Sequence, residues 1–189
     1  TLSSIPQPPN LILGQGPLGF AFKKASAQWE YPTLTWSSSG RHQSDFQGDI
    51  ATYPLNTLPL FSTIVIAISA PERTPQAYAQ LYQKSLYRFL SQVSFKRILF
   101  CSSTVVYASS EERWCDEETL EYNQNFRAYS LLCAERFIKY YAANRYVILR
   151  IGGLESSPCA HVKKQVAGPS PWRNLVWRGD VCKIIEKMV

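Results

Sequence analysis

The sequence predicts an α/β protein with a doubly wound parallel sheet and helices on both faces. Short apolar runs alternate along the chain with segments that carry apolar residues at three- and four-residue spacings. This alternation is typical of parallel sheets, because each crossover between parallel strands usually contains a helix. The chain has 189 residues, of which 46% are hydrophobic and 18% charged. That length and composition suit one soluble globular domain with a substantial core.

The elements follow one another in the order that a parallel sheet requires. Asn10–Leu13 is the first apolar run, and a helix is predicted over residues 17–28. Pro71 ends the third strand, and Pro75 lies where a first helical turn tolerates proline. The remaining predictions rest on runs of apolar residues for strands and on helical spacing for helices. They are strands over residues 33–37, 60–69, 97–101 and 146–151, and helices over 74–92, 126–143 and from Asp180 onward.

A glycine-rich turn directly after the first strand is the most informative motif. Residues 14–19 read Gly-Gln-Gly-Pro-Leu-Gly, which is G-x-G-x-x-G between an apolar strand and a helical pattern. In dinucleotide-binding folds these glycines make the tight turn, let the backbone approach a pyrophosphate and permit close helix packing. The helix N-terminus adds N–H groups that bind phosphate. The motif predicts a Rossmann-type domain, the alternative being a glycine turn with a structural role. The predicted phosphate loop consists of Gly14, Gln15, Gly16, Pro17, Leu18 and Gly19.

The segment about twenty residues beyond the glycines bears on which dinucleotide binds. NAD-binding folds place Asp or Glu there, where the carboxylate accepts hydrogen bonds from the ribose 2′-OH. Residues 34–41 read Leu-Thr-Trp-Ser-Ser-Ser-Gly-Arg, with hydroxyls and no carboxylate. Ser38 and Arg41 are candidates to bind a 2′-phosphate, Arg41 through charge-assisted hydrogen bonds. We therefore expect NADP in preference to NAD, the alternative being a simple turn with a solvated arginine.

Charge, apolar runs and cysteine spacing limit the other functional classes. The formal net charge is +6, but the basic residues form no run of five and no aromatic–basic motif, so a nucleic-acid partner is the weaker alternative. No apolar run approaches the ~20 residues that span a bilayer. We therefore expect no membrane partner. The five cysteines are dispersed, which predicts reduced thiols in a cytoplasmic protein. With only two histidines and no clustered ligand spacing, we expect no metal site. We expect residues 1–9 to form an N-terminal tail and 10–189 a single NAD(P)-binding domain.

Further motifs downstream carry a family resemblance. Residues 98–107 end a buried strand in a cluster of hydroxyls, and Asp116-Glu117 and Ala134-Glu135 follow. Residues 147–154 and 174–181 complete the series. In this order and spacing the chain resembles the extended short-chain dehydrogenase/reductases, the NAD-dependent epimerase/dehydratase family, and looks closest to its atypical nucleoside-diphosphate-sugar epimerase branch. The resemblance covers about residues 9–189. It implies hydride transfer between a nicotinamide and a small polar substrate, such as a sugar nucleotide.

The resemblance also assigns roles to individual residues. Asp49-Ile50 resembles the acidic-apolar pair beside the adenine, and Ser69-Ala70-Pro71 occupies the strand end that lines the cofactor. Counting back from Tyr107, Ser103 matches the family's active-site Ser/Thr, which hydrogen-bonds a substrate oxygen near the nicotinamide. Tyr129 is the candidate for the tyrosine that exchanges the substrate proton.

The chain departs from the family pattern at the catalytic pair. Family enzymes use Tyr-x-x-x-Lys, in which the lysine lowers the pKa of the tyrosine, whereas an isolated tyrosine has a pKa near 10. Tyr129 is followed four residues later by Cys133. Aligning instead on Ala134-Glu135 places Arg127 at the tyrosine position and Leu131 at the lysine position. Neither alignment gives an intact pair.

The substrate side of the predicted site departs as well. After Leu154 the chain reads Glu-Ser-Ser-Pro where the family usually has Tyr-Gly-Pro-Gly-Arg, and it stops soon after the predicted Asp180 helix. We therefore expect a substrate lid that is reduced or absent. The leading hypothesis is an NAD(P)-binding epimerase/dehydratase-like oxidoreductase, and the alternative is a non-catalytic NADP-binding sensor or scaffold. The resemblance further implies a homodimer that forms through the helices over 74–92 and 126–143.

Overall fold

The computed structural model describes residues 7–29, 32–40, 42–107, 114–119, 123–156 and 174–189. Six parallel strands within these residues form one sheet: β1 (Asn10–Leu13), β2 (Thr33–Ser37), β3 (Phe46–Gln47), β4 (Phe61–Ile66), β5 (Phe95–Ser103) and β6 (Tyr146–Ile151). Their spatial order is β3-β2-β1-β4-β5-β6. This order is that of the doubly wound dinucleotide-binding sheet, and it confirms the predicted fold class.

Helices connect the strands and cover the sheet. They are α1 (Pro17–Ala25), α2 (Pro75–Tyr78), α3 (Leu86–Gln92), α4 (Phe126–Ala142) and α5 (Arg178–Glu186). A π-helical stretch, Ala79–Ser85, joins α2 to α3, so the single predicted helix over 74–92 contains three segments. Short 3₁₀ turns occupy Ser26–Gln28, Leu55–Thr57 and Thr104–Val106. Among the described residues, no helix combines the length and the apolar character that a membrane span requires.

Alternate residues of the central strands point into two separate cores, as the pleat of a strand requires. In β4, Ile64 and Ile66 pack with residues of α3 and α4, whereas Val65 packs on the opposite face with Phe22 of α1 and Ile185 of α5. All five of these side chains are fully buried. Because both faces of the sheet are covered, its strands appear in the sequence as nearly continuous apolar runs.

The predicted strands β1, β2 and β6 have the bounds that the structure gives them, but three short strands were not predicted. β3 contains two residues, which pair with Trp36 and Ser37 of β2. β7 (Gly153–Glu155) and β8 (Leu175–Trp177) form a separate parallel pair. Strands of two or three residues are too short to show the alternation on which a sequence-based prediction depends.

Candidate functional site

The carboxyl ends of β1 and β4 lie side by side in the middle of the sheet. The chain winds from β1 to β2 on one side, and β4 pairs with the other side of β1. In doubly wound sheets, ligands bind where the direction of winding reverses in this way. The Ala67 N–H donates to the carbonyl of Leu13 at 2.8 Å, which ties the loop after β4 to the end of β1. The fold therefore brings the glycine loop and the predicted segment Ser69–Pro71 to the same end of the sheet.

The three motif glycines differ in what surrounds their Cα atoms. Gly14 has φ +104°, and a Cβ there would lie 2.5 Å from the carbonyl oxygen of Ala67. A Cβ on Gly19 would collide with the carbonyl oxygen of Gly14. Gly16 instead has an ordinary φ of −67°, and a Cβ there would meet nothing within 4 Å. Packing thus requires Gly14 and Gly19, whereas Gly16 borders open space.

Gly16 is also the N-cap residue of α1, and no side chain caps this helix end. The first turn of a helix has N–H groups without intrahelical partners, and its dipole gives that end a partial positive charge. Pro17 at the first helical position supplies no N–H, so the unpaired donors belong to the residues that follow it. An uncapped helix end beside open space can bind an anion such as pyrophosphate.

Gln15 lies between the first two glycines with its side chain buried. The residue is 6% exposed, and neither its Nε2 nor its Oε1 has a hydrogen-bond partner among the described residues. Buried carboxamides normally have partners. The orphaned amide and the open space at Gly16 are two independent observations that fit a polar ligand at this loop.

The end of β2 presents hydroxyl groups. The Oγ atoms of Ser37 and Ser39 lie 3.5 Å apart, and Ser38 between them is exposed. The nearby carboxylate of Asp45 accepts hydrogen bonds from the backbone N–H and the hydroxyl of Thr35, both at 2.8 Å, and so closes the loop locally. Arg41, the predicted 2′-phosphate ligand, lies outside the described residues.

The loop after β2 is fixed against α1. Lys23 Nζ donates to the carbonyl oxygens of His42 and Gln43, each at 2.9 Å. The rings of Phe20 and His42 stack with centroids 4.1 Å apart. His42 and Gln43 have positive φ values of 63° and 46°, which non-glycine residues rarely adopt. Residue types do not indicate this role of Lys23, because its partners are backbone carbonyls distant in the chain.

The residues predicted beside the adenine lie just after β3. Asp49 is exposed, and its Oδ1 accepts a hydrogen bond from the N–H of Ala51 at 2.9 Å. Ile50 is buried, and its carbonyl accepts a hydrogen bond from Arg88 of α3 at 2.8 Å. The guanidinium of Arg88 also donates to the carbonyl of Tyr53 at 3.0 Å, so it anchors this loop to the helix layer.

The segment after β4 is anchored by a tyrosine that sequence reasoning missed. Tyr82, in the π-helical stretch, donates its hydroxyl to the carbonyl of Ile68 at 3.1 Å. Burial and the neighbouring Tyr78 raise the pKa of Tyr82 well above its ordinary value, so its hydroxyl stays protonated and can donate. Ser69 and Pro71 are exposed, and Ala70 between them is half-buried. The hydrogen bond therefore holds the start of the predicted cofactor-lining segment.

The two predicted catalytic residues have different environments. Ser103 ends β5, and its half-buried hydroxyl oxygen accepts the N–H of Val105 at 3.3 Å, which leaves the hydroxyl hydrogen available to a ligand. Tyr129 lies in the first turns of α4 and is 58% exposed. Its hydroxyl has no hydrogen-bond partner among the described residues, and Ser103 does not contact it there.

A buried carboxylate shows which face of α4 lies on the strand ends. Glu135 accepts the hydroxyl of Ser102 at 2.6 Å and two hydrogen bonds from Arg150, of which the Nη2–Oε2 distance is 2.8 Å. The two side chains of this ion pair are 3% and 13% exposed, Glu135 being the more buried. The Arg150 guanidinium also lies over the ring of Tyr107, 4.9 Å from its centroid. The pair ties α4 to the ends of β5 and β6.

The helix phase shows on which side of α4 the residues of the two alignments lie. At 100° per residue, Leu131 lies about 40° from Glu135 around the helix, whereas Tyr129 lies about 120° away. Leu131 is 5% exposed and belongs to the main core cluster. Leu131 therefore lies on the sheet-facing side of α4 with Glu135, whereas Tyr129 lies on a more exposed side. The sequence pattern that aligns Glu135 with the family does not indicate that Arg150 is its partner.

The outer faces of α3 and α4 carry exposed aromatic rings, with Tyr87 47% and Tyr140 80% exposed. These belong to the two predicted dimer helices, and the homodimer stays a prediction.

Comparison with known proteins identifies the fold of the chain through its structure, whereas its sequence matches no known family. No protein-family model matches the chain, and no curated protein is significantly similar to it in sequence. A solved structure from Methylobacillus flagellatus, assigned as an NAD-dependent epimerase/dehydratase, superposes with a TM-score of 0.71 at 23% identity over 95% of this chain and 69% of its own.

Two further structures show the same similarity at lower identity. The UDP-glucuronic acid 4-epimerase of Bacillus cereus, in complex with UDP-glucuronic acid and NAD, has a TM-score of 0.71 at 14% identity over 92% of this chain and 71% of its own. An NAD-dependent NDP-hexosamine 5,6-dehydratase of tunicamycin biosynthesis has a TM-score of 0.72 at 12% identity, over 95% of this chain and 71% of its own. The chain therefore has the fold of the NAD-dependent epimerases and dehydratases, the extended short-chain dehydrogenase/reductases that its sequence resembles.

Proposed function

We propose that this protein binds a nicotinamide dinucleotide at the carboxyl ends of β1 and β4, as an NAD(P)-binding protein of the epimerase/dehydratase kind. The observation that carries the proposal is the surroundings of Gly16, which caps α1 and, among the residues that the structure describes, has no side-chain capping partner and borders open space. The Bacillus cereus epimerase of the same fold holds NAD. A dinucleotide would place its pyrophosphate against the N-terminus of α1.

The other predicted residues have complementary roles in this proposal. Asp49 and Ile50 border the adenine side, and Ser69–Pro71 lines the path toward the nicotinamide. Ser103 presents its free hydroxyl hydrogen to an oxygen of the ligand or substrate. A bound nicotinamide supplies a hydride donor or acceptor, chemistry that protein side chains lack.

We propose NADP(H) as the dinucleotide. Hydroxyls rather than a carboxylate follow β2, and the nearby Asp45 is hydrogen-bonded to Thr35. Arg41→Ala is expected to weaken NADPH binding about tenfold, because a charge-assisted hydrogen bond contributes roughly 1.5–3 kcal/mol. NADH binding should stay within about twofold of wild type, since NADH has no 2′-phosphate. Titrations that follow nicotinamide fluorescence measure both. An equal loss for the two nucleotides, or none, would contradict the NADP preference.

The consequence of binding separates the two candidate functions. We favour the non-catalytic one, a dinucleotide-dependent sensor or scaffold, because Leu131 is buried at the lysine position and Tyr129 is exposed. A tyrosine without a fixed neighbouring cation has a pKa near 10 and is a poor base at neutral pH. The second candidate is hydride transfer with a small polar substrate such as a sugar nucleotide. The free hydroxyl hydrogen of Ser103 at the end of β5 is the observation that supports it.

A turnover assay distinguishes these candidates. We expect the wild-type protein to bind NADPH and to show no oxidation of it, with sugar nucleotides or small carbonyl compounds, above the rate of Ser103→Ala. Substrate-dependent NADPH oxidation that Ser103→Ala abolishes would establish the oxidoreductase instead. Tyr129→Phe would then test whether Tyr129 exchanges the proton. Tyr140→Phe is its matched control, since Tyr140 is an exposed tyrosine of the same helix.

A further inference from the structure

Gln15 is a buried side chain whose polar atoms are both unsatisfied. The residue is 6% exposed, and its Nε2 and Oε1 lack partners among the described residues. Two other side-chain amides each make at least one hydrogen bond. Gln83 donates to the hydroxyl of Ser130 at 3.0 Å, and Asn10 accepts the N–H of Thr63 through its Oδ1. Burying a carboxamide without any hydrogen bond is unfavourable, so Gln15 requires an explanation.

The backbone next to Gln15 is held in place at Gly14. The Gly14 N–H donates to the carbonyl of Trp36 at 3.0 Å. The Gly14 carbonyl lies so close to Gly19 that a Cβ there would collide with it. On the other side of Gln15, Gly16 borders open space at the N-terminus of α1. The unsatisfied amide is therefore one residue from the open part of the loop.

We propose that the bound dinucleotide completes the hydrogen bonds of the Gln15 carboxamide, with Nε2 donating to a pyrophosphate oxygen and Oε1 accepting from a ribose hydroxyl. A carboxamide is both donor and acceptor. The phosphate–ribose portion of a nucleotide offers acceptors and donors side by side, whereas an anion such as sulfate offers acceptors alone. Gln15 is thus a ligand-contacting residue that favours a nucleotide over a simple anion. This inference rests on the proposed function of the same site.

Two variants of similar size test it, each with two measurements. Gln15→Met removes both polar atoms, and Gln15→Glu replaces the donor with a negative charge. Dissociation constants come from nicotinamide fluorescence with NADPH, and melting temperatures from thermal unfolding of the protein without ligand. Gln15→Met is expected to raise the dissociation constant about tenfold and to keep or raise the melting temperature. Gln15→Glu should raise the dissociation constant further, because its carboxylate repels pyrophosphate.

If Gln15 contacts the ligand, Gln15→Met weakens binding while the stability of the free protein is undiminished. If Gln15 has a structural role, stability falls as well. Gln83→Met is the control, since it breaks a hydrogen bond to Ser130 away from the glycine loop. It should lower the melting temperature and leave the dissociation constant unchanged. If both Gln15 variants bind NADPH within about twofold of wild type, the inference fails, and it also fails if Gln15→Met loses stability in step with affinity. If the wild-type protein binds no dinucleotide, the proposed function itself fails.

Discussion

Replacing Gly16 with aspartate is expected to weaken dinucleotide binding about a hundredfold or more while the free protein keeps its stability. The φ of Gly16 suits any residue, and a Cβ there meets nothing within 4 Å. Aspartate is among the preferred N-cap residues, and its charge is favourable at the N-terminus of α1. The same carboxylate would occupy the proposed pyrophosphate position and repel its charge by several kcal/mol at an effective dielectric constant of about 20.

Nicotinamide fluorescence measures the binding, and chemical denaturation of the free protein measures the stability. Gly16→Ser is the matched variant, because serine also caps the helix but carries no charge. Its affinity should lie between those of the wild type and Gly16→Asp, since it adds bulk without repulsion. NADPH binding by Gly16→Asp at wild-type affinity would place the dinucleotide elsewhere or nowhere on this protein.

The glycine loop could be predicted because backbone geometry decides it. A strand that turns tightly into a helix needs glycine at Gly14, which has a positive φ, and at Gly19, which contacts the Gly14 carbonyl. Both requirements appear in the sequence as conspicuous glycines. The apolar runs of β1 and β2 gave correct bounds for the same reason, since turn residues follow each of them directly. The side-chain state of Gln15 had no such signal, because burial in a loop depends on elements distant in the chain.

Residue types predict the phase of α4 only in part: apolar residues such as Leu131 and Ile138 are buried at helical spacing, but Tyr129 and Glu135 do not follow the pattern. Tyr129 and Tyr140 are exposed on this helix, although both are aromatic residues at spacings that a buried face also shows. Glu135, a carboxylate, is buried on the face toward the sheet. For Tyr129 and Glu135, polarity alone therefore predicts the wrong side of the helix. The contacts of Glu135 with β5 and β6 show why this carboxylate lies on the face toward the strand ends.

The ion pair that fixes this face is the basis of the second large effect. Glu135→Leu is expected to lower the free energy of unfolding by about 3–5 kcal/mol, because it removes one member of a largely buried ion pair. The hydroxyl of Ser102 also loses the acceptor that it contacts at 2.6 Å. Urea denaturation measures the change.

The double variant Glu135→Leu/Arg150→Met shows how much of the lost stability comes from removing only one member of the ion pair, and how much from losing the pair itself. Replacing both members of a buried ion pair by apolar residues is often close to neutral, since the desolvation of both charges is avoided. We therefore expect the double variant to recover most of the lost stability. If it is as unstable as Glu135→Leu, the ion pair stabilises the fold in its own right. If Glu135→Leu costs less than about 1 kcal/mol, as exposed pairs do, the pair does not hold α4 on the sheet.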